Sequence, residues 1–348
     1  MVLGKKIFER PLLLAPMEDV TDLPFRLICK RLGADILFTE FVNSDGLVRN
    51  NKKTAGKMHF TEEERPIGIQ IYGSNQDAME GAARMADEMN PDFVDINAGC
   101  WVKDVVARGA GAGLLRDLPR MEKIVAGVVK NTTRPVTVKT RLGWDDKSIH
   151  IIEVAKMLEQ NGVQALTVHC RTRGQGHSGD PDFSWIPLIK AAVSLPVIVN
   201  GSLVEPAQIK RVMDESGCDG VMIGRGAIDN PWIFKQTKHY FDTGELMPEA
   251  TVGERIALCI EHLRLAAEYK GERRGVIEMR KHYAGYLHGI PNVVKFRISL
   301  MQYLEVNPLV EQLQMFAEAR GLDESGGNDA SVIPVIETSP AIEDGACA

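Results

Sequence analysis

Phe93-Val-Asp-Ile-Asn-Ala-Gly-Cys100-Trp-Val-Lys-Asp104 is the stretch on which the fold turns. Its apolar run, Phe93 to Ile96, ends in a small-residue turn that hands over one cysteine, which places the thiol at a strand's carboxyl end. Open and closed α/β sheets keep their chemistry there. Most unpaired cysteines are small core hydrophobes, but Gly99 before Cys100, Trp101 after it and the run Arg108-Gly-Ala-Gly-Ala-Gly113 beyond argue against a packed core position. Cys100 is therefore the candidate chemical centre, and the glycine run is expected to be a mobile loop carrying it over a mouth. A dinucleotide fingerprint is rejected for this run, because that motif needs a strand immediately before its first glycine and here the strand ends at Ile96.

Seven further apolar or β-branched runs surround this one: Leu12 to Pro16, Ile36 to Thr39, Ile67 to Ile71, Val136 to Lys139, Ala165 to His169, Val197 to Asn200 and Gly220 to Ile223. Stretches with helical spacing separate them, for example Ala78 to Met89 and Met121 to Val129. Strands alternating with helices predict an α/β fold, a (β/α)8 TIM barrel over residues 1–245, with a doubly wound open sheet as the alternative. Residues 246–321 contain helical segments only, such as Val252 to Tyr269 and Val293 to Tyr303, and predict a small all-helical C-terminal domain. From Leu322 the chain is rich in Gly, Ser, Asp and Pro without a period, which predicts a disordered tail over residues 322–348.

No apolar run approaches the roughly 20 residues of a membrane span, and no signal-peptide core precedes the fold, so a cytoplasmic protein without membrane association is expected. The six cysteines show no C-x-x-C spacing, which argues against a metal site or a disulfide scaffold. The net charge of -6 belongs to the tail, whose six acidic residues are unopposed by Lys or Arg; without them 41 basic residues face 41 acidic ones. Within that neutral body, residues 254–297 hold nine Lys or Arg against five Glu, enough for a polyanion to bind locally.

Strand ends of a barrel share one mouth, so Met17, Glu40, Gln70, Asn97, Lys139, Arg141, His169, Asn200 and Arg225 are read as a set. Asn200-Gly201-Ser202 ends the seventh strand and Gly224-Arg225-Gly226 the eighth, the two loops at which barrels bind phosphate. Lys139 offers a cation inside the mouth, to form a Schiff base or to neutralise an electron-rich ring. A free cysteine has a pKa near 8.5, so Cys100 is mainly protonated and can serve as an acid.

Leu14-Ala-Pro-Met17, Thr21-Asp22, Pro24-Phe25-Arg26, Gln70-Ile-Tyr-Gly73, Asp95-Ile-Asn97, Gly99-Cys100 and Val138-Lys-Thr-Arg-Leu-Gly143 together resemble the bacterial tRNA-dihydrouridine synthases. Val168-His169, Arg171-Thr-Arg173, Asn200-Gly201 and Ile223-Gly-Arg-Gly226 continue the likeness, which is strongest to the B type and spans residues 8 to 310. The resemblance implies an FMN enzyme that uses NADPH to reduce the C5–C6 double bond of a uridine in tRNA. It implies that Pro16, Met17, Gln70, Lys139, His169, Asn200, Gly201, Gly224 and Arg225 hold FMN, with Ser202 in the same phosphate loop. Cys100 becomes the proton donor, and Asn97 and Arg141 substrate contacts. Trp101, His177 and Ser202 depart from the family's usual proline, tyrosine and aspartate. The basic C-terminal segment then supplies tRNA phosphate contacts, with Arg255, Arg264, Arg273, Arg274, Arg280, Lys281, Lys295 and Arg297 as candidates, about half of them used and Arg273, Arg274, Arg280 and Lys281 foremost. A monomer is expected. A dehydrogenase of a free pyrimidine and a Schiff-base aldolase using Lys139 are the competing functions.

Overall fold

A computed structural model describes residues 1–324 and turns all eight apolar runs into strands. They are β1 (Leu12–Leu14), β2 (Leu37–Phe38), β3 (Ile67–Tyr72), β4 (Phe93–Ala98), β5 (Val136–Arg141), β6 (Ala165–His169), β7 (Val197–Asn200) and β8 (Gly220–Ile223). Each strand pairs in parallel with its neighbours in sequence, and β8 returns to pair with β1. The last seam, between β1 and β2, is joined by one parallel bridge, Leu13 to Ile36, with Leu14 N donating to Ile36 O at 3.0 Å. This seam excludes the open sheet. The fold is a (β/α)8 barrel followed by helices.

Side chains alternate across a strand, and the alternation explains both faces of this sheet. Leu12, Leu14, Ile69, Val94, Ile96, Val138 and Val168 point outward into the layer shared with the helices. Leu13, Phe38, Phe93, Ala165, Ile198 and Met222 point inward and fill the barrel floor with Leu3. Leu3 comes from an antiparallel hairpin, Val2–Leu3 with Lys6–Ile7, that the sequence reading did not anticipate. Gly68 stands opposite Phe38 because a Cβ there would lie 2.7 Å from the phenyl ring.

Beyond the barrel, helices Val252–Lys270, Glu272–Met279, Tyr283–Tyr286, Val293–Leu300 and Val306–Glu324 enclose a second core around Ile256, Leu263, Met279, Tyr283 and Leu309. Thr251 and Glu254 form a capping box at its entrance. The two cores meet at helix Leu23–Arg31, capped by Asp22, whose side chain accepts from Phe25 N at 3.1 Å. Lys270 of the C-terminal region pairs with that same Asp22. The last helix runs to Glu324, past the start of the stretch expected to be disordered; from residue 325 that stretch lies outside the described residues. No helix among the described residues is long and apolar enough to cross a membrane.

Candidate active site

The inward positions one and two steps above the floor are polar. Strand register sets Asn97 opposite Lys139, Arg141 opposite His169, and His169 opposite Asn200. These residues line a cavity of about 440 Å³ together with Pro16, Met17, Cys100, Gly201, Ser202, Gly224 and Arg225. Such a volume suits a small ligand or cofactor. Gln70 does not reach the cavity; it is fully buried one layer below. Glu40 is not at the cavity wall either, accepting from Asp19 N at 2.8 Å and pairing with Lys57 at 3.4 Å.

Below the mouth a chain of hydrogen bonds runs from the barrel's axis to the cysteine. Asp95 accepts from Gln70 Nε2 at 2.6 Å and from the Thr137 hydroxyl, and Gln70 Oε1 accepts from Asn97 Nδ2 at 2.9 Å. Asn97 Oδ1 in turn accepts from Gly99 N at 3.0 Å and Cys100 N at 2.8 Å. The carboxamide assigned to substrate is thus already used to shape the cysteine turn. Burial raises the Asp95 pKa to about 6, against the lowering by Gln70, Thr137 and Lys139. Asp95 sits within an otherwise apolar strand, and its spacing of two from Phe93 and from Asn97 puts it on the inward face with them.

The glycine run is not the mobile loop expected of it. Lys103–Ala107 is helical, residues 110–115 are buried, and Ala112 N donates to Cys100 O at 2.9 Å. Gly111 has φ +56° and a Cβ on it would lie 2.7 Å from Cys100 O. The run backs the cysteine turn at a distance only glycine allows. From the other side Arg141 Nε donates to Gly99 O at 2.9 Å, and its Nη1 to Thr172 O at 3.0 Å and Gly176 O at 2.8 Å. Arg141 therefore braces two loops.

Electrostatics divide the mouth. The half-buried Cys100 thiol is pushed up from its ordinary pKa, first by desolvation, with Arg141 and Lys139 pulling the other way. It stays protonated at neutral pH. Desolvation and then Arg141 lower Lys139 to about 8, and its ammonium has no hydrogen bond or ion pair among the described residues. His169 is lowered by desolvation, then by Lys139 and two arginines, and is neutral. At the phosphate loops Gly201 has φ +140° and Ser202 φ +45°. Arg171, absent from the predicted set, donates to Ser202 Oγ at 2.8 Å and approaches His169 Nε2 at 3.3 Å. Asn200 Nδ2 donates to Met222 O at 2.8 Å, tying the seventh strand end to the eighth.

Over residues 13–320 the chain matches the family model described as dihydrouridine synthase. The chain belongs to the dihydrouridine synthase family. It is 38% identical over 317 residues to the tRNA-dihydrouridine synthase B of Pseudomonas aeruginosa, covering 91% of this chain and 96% of that protein. It is 39% identical over 295 residues to the synthase B of Pseudomonas putida, covering 85% and 88%. A probable tRNA-dihydrouridine synthase 1 of Synechocystis is 38% identical over 301 residues, covering 86% and 84%. Among solved structures, a 2-naphthoyl-CoA reductase superposes with TM-score 0.51 at 13% identity, covering 69% of this chain and 51% of that one, which speaks to the fold alone. The family makes this barrel an oxidoreductase. At the rim of the cavity Trp101 and His177 touch: the indole Nε1 donates to His177 Nε2 at 3.2 Å.

The eight basic candidates of the C-terminal region fall into two kinds. Arg255 donates to Tyr286 O at 2.8 Å, Arg274 pairs with Glu278 at 2.6 Å, Arg280 donates to Met301 O at 2.6 Å and Lys281 donates to Asp19 O. Arg264, Arg273, Lys295 and Arg297 make no hydrogen bond or ion pair among the described residues.

Proposed function

We propose that this protein is a tRNA-dihydrouridine synthase: it reduces the C5–C6 double bond of a uridine in tRNA, with FMN held in the barrel mouth and NADPH as the source of electrons. FMN, when bound there, would supply the hydride chemistry at C6 of the base. The observation that carries the reading is a protonated, half-buried thiol on the rim of a cavity into which Lys139 extends an ammonium with no partner among the described residues.

The residues fit the cofactor. Gly201 and Gly224 line the cavity as bare backbone, and at Gly201 (φ +140°) a Cβ would press to 3.0 Å from Pro181, so these two loops form a cradle of main chain. That cradle, with Ser202, Arg225 and Arg171, suits a single phosphate. Lys139, still mainly protonated at neutral pH, would supply a positive charge to an electron-rich ring, Pro16 and Met17 would form the wall at the first strand end, and neutral His169 would offer a hydrogen bond without charge. Gln70 supports the site from beneath through Asp95 and Asn97.

Hydride addition at C6 leaves negative charge on C5 and its adjoining carbonyl. Cys100 delivers the proton to C5, a role for which its raised pKa keeps it loaded. A positioned general acid contributes typically ~10²–10⁴-fold. The base is inaccessible within folded tRNA and must be extruded into the mouth, which costs a few kcal/mol. Phosphate contacts from Arg264, Arg273, Lys295 and Arg297 offset that cost.

The purified protein is expected to be yellow, with one noncovalent FMN. Cys100→Ala is expected to retain flavin and be reduced by NADPH at the native rate, yet reduce uridine ~10²–10⁴-fold more slowly in stopped-flow absorbance. A colourless protein trapped by borohydride at Lys139 would return the aldolase. Salt-indifferent tRNA binding together with turnover of a free pyrimidine would return the small-molecule dehydrogenase.

A further inference from the structure

Trp101 directly follows Cys100, and its side chain reaches across to the loop after β6. Its indole lies on Gly176, where an added Cβ would stand 3.2 Å from the ring, and Gly176 has φ +59°. The ring meets His177 edge-on, with centroids 5.2 Å apart at 80°. The indole N–H donates to His177 Nε2 at 3.2 Å. We infer that the Trp101–His177 bridge is a latch, holding the Cys100 turn against the β6 loop and so fixing where the thiol stands over the cavity.

Burial alone does not account for the contact. Trp101 is 40% exposed, so packing leaves much of its ring in water, while its one donor is spent on a residue 76 positions away. The same two loops are tied from below by Arg141, through Gly99 O on one side and Gly176 O on the other. The latch and the brace therefore bracket Cys100. His177 can accept only while Nε2 is unprotonated, and its pKa is lowered to about 4 by desolvation, then by Arg225, Arg141, Arg171 and Lys139. The bridge stays intact across the physiological range. Trp101 and His177 are positioning residues; their consequence for uridine reduction rests on Cys100 being the proton donor.

The test uses the full-length protein and three single variants. Trp101→Phe keeps a ring and deletes the donor, His177→Phe keeps a ring and deletes the acceptor, and His177→Gln restores an acceptor. Iodoacetamide labelling of Cys100, mapped by mass spectrometry, is expected to quicken roughly two- to tenfold in either phenylalanine variant, the range of one hydrogen bond. The Trp101→Phe/His177→Phe double variant should label no faster than the faster single, because both delete one bond, and His177→Gln should label near the native rate. By NMR the His177 imidazole should titrate well below its ordinary value in the native protein and move upward in Trp101→Phe, since a bond donated to neutral imidazole favours the neutral form. Additive labelling effects, or an unmoved His177 titration, overturn the latch even if Cys100→Ala blocks uridine reduction. Coupled labelling and a moved titration uphold it; if uridine reduction by Cys100→Ala is then unimpaired, it is the proton-donor reading that fails.

Discussion

Two regions of this molecule bury polar groups, and they do so in opposite ways. In the barrel, Asp95, Gln70, Thr137 and Asn97 satisfy one another in a continuous chain that ends at the backbone of Cys100. At the seam beneath the C-terminal helices, Phe25 stacks on His282 at 4.9 Å and on His262 at 5.7 Å, and the two imidazoles lie 4.6 Å apart. His262 Nδ1 meets the Tyr286 hydroxyl at 3.1 Å, but neither ring nitrogen of His282 has a partner among the described residues. Satisfied networks fix one geometry, whereas half-satisfied ones leave an unmet desolvation cost. The barrel is thus built for placement and the seam for apolar contact with a titratable cost.

Phe25→Ala breaks the seam most directly. Phe25 is 1% exposed and touches both imidazoles, so truncation is expected to cost about 3–5 kcal/mol in chemical denaturation. The loss should be accompanied by weaker tRNA binding, because the C-terminal helices dock through it. Equal stability of the variant would mean that the two cores do not depend on each other. Asp95→Ala attacks the barrel instead, leaving Gln70 Nε2 and Thr137 Oγ1 unmet for about 1–3 kcal/mol. Its larger effect should fall on the uridine step, through Asn97 and the cysteine turn, with Asp95→Asn milder in both.

The contrast also has a pH signature. Burial lowers the pKa of His262 to about 3 and of His177 to about 4, and lowers His169 and His282 as well. At the seam, burial and then His262, Lys281 and Lys270 push His282 down while Asp22 pulls it up. Unfolded imidazoles bind protons near pH 6.5 and the folded ones do not, so stability should fall as pH drops from 6.5 toward 3. Asp95 acts in the other sense: its folded pKa of about 6 exceeds the unfolded value of about 3.9, so protonation of the folded carboxyl adds stability over that interval. Four histidines outweigh Asp95 and the exposed Glu18, the two carboxyls whose pKa is raised. The melting temperature should therefore be lower at pH 5 than at pH 7.5, and His262→Phe should lessen the difference; a rise on acidification would show the seam imidazoles to be charged already.

What the sequence made legible was whatever repeats locally. Eight runs with β-branched or leucine-rich faces announced the strands, and the strand-end residues other than Gln70 and Glu40 announced the mouth, because a barrel brings all its carboxyl ends together. Closure was legible only as a count, since the seam rests on the single bridge between Leu13 and Ile36. The role of the glycine run was misread. Gly111 is there to approach Cys100 O, a contact that tertiary packing creates and local composition cannot distinguish from flexibility. Trp101 and His177 are 76 residues apart and carry no shared local signal. The N-terminal hairpin was missed because two-residue strands have no period to read.

The smallest expected effect separates the surface charges. Sequence alone could count basic residues but not say which were already paired, and Arg273, Arg274, Arg280 and Lys281 looked alike. Arg280 donates to Met301 O at 2.6 Å, and Arg274 is held by Glu278 at 2.6 Å. Arg273 is exposed and pairs with nothing among the described residues. A cation already bonded within the protein must give up a partner to meet a phosphate, whereas a free one gives up only water and counterions. Each phosphate contact contributes roughly 0.7–0.9 to the slope of log K against log salt. Arg273→Ala is therefore expected to reduce that slope by about this amount for tRNA, with stability unchanged within ±0.5 kcal/mol. Arg280→Ala should do the reverse, lowering the melting temperature and leaving the slope alone. If Arg273→Ala binds tRNA with the native slope while Arg280→Ala flattens it, then Arg280 exchanges its carbonyl for phosphate on binding, and partners in the free protein do not mark which cations meet the RNA.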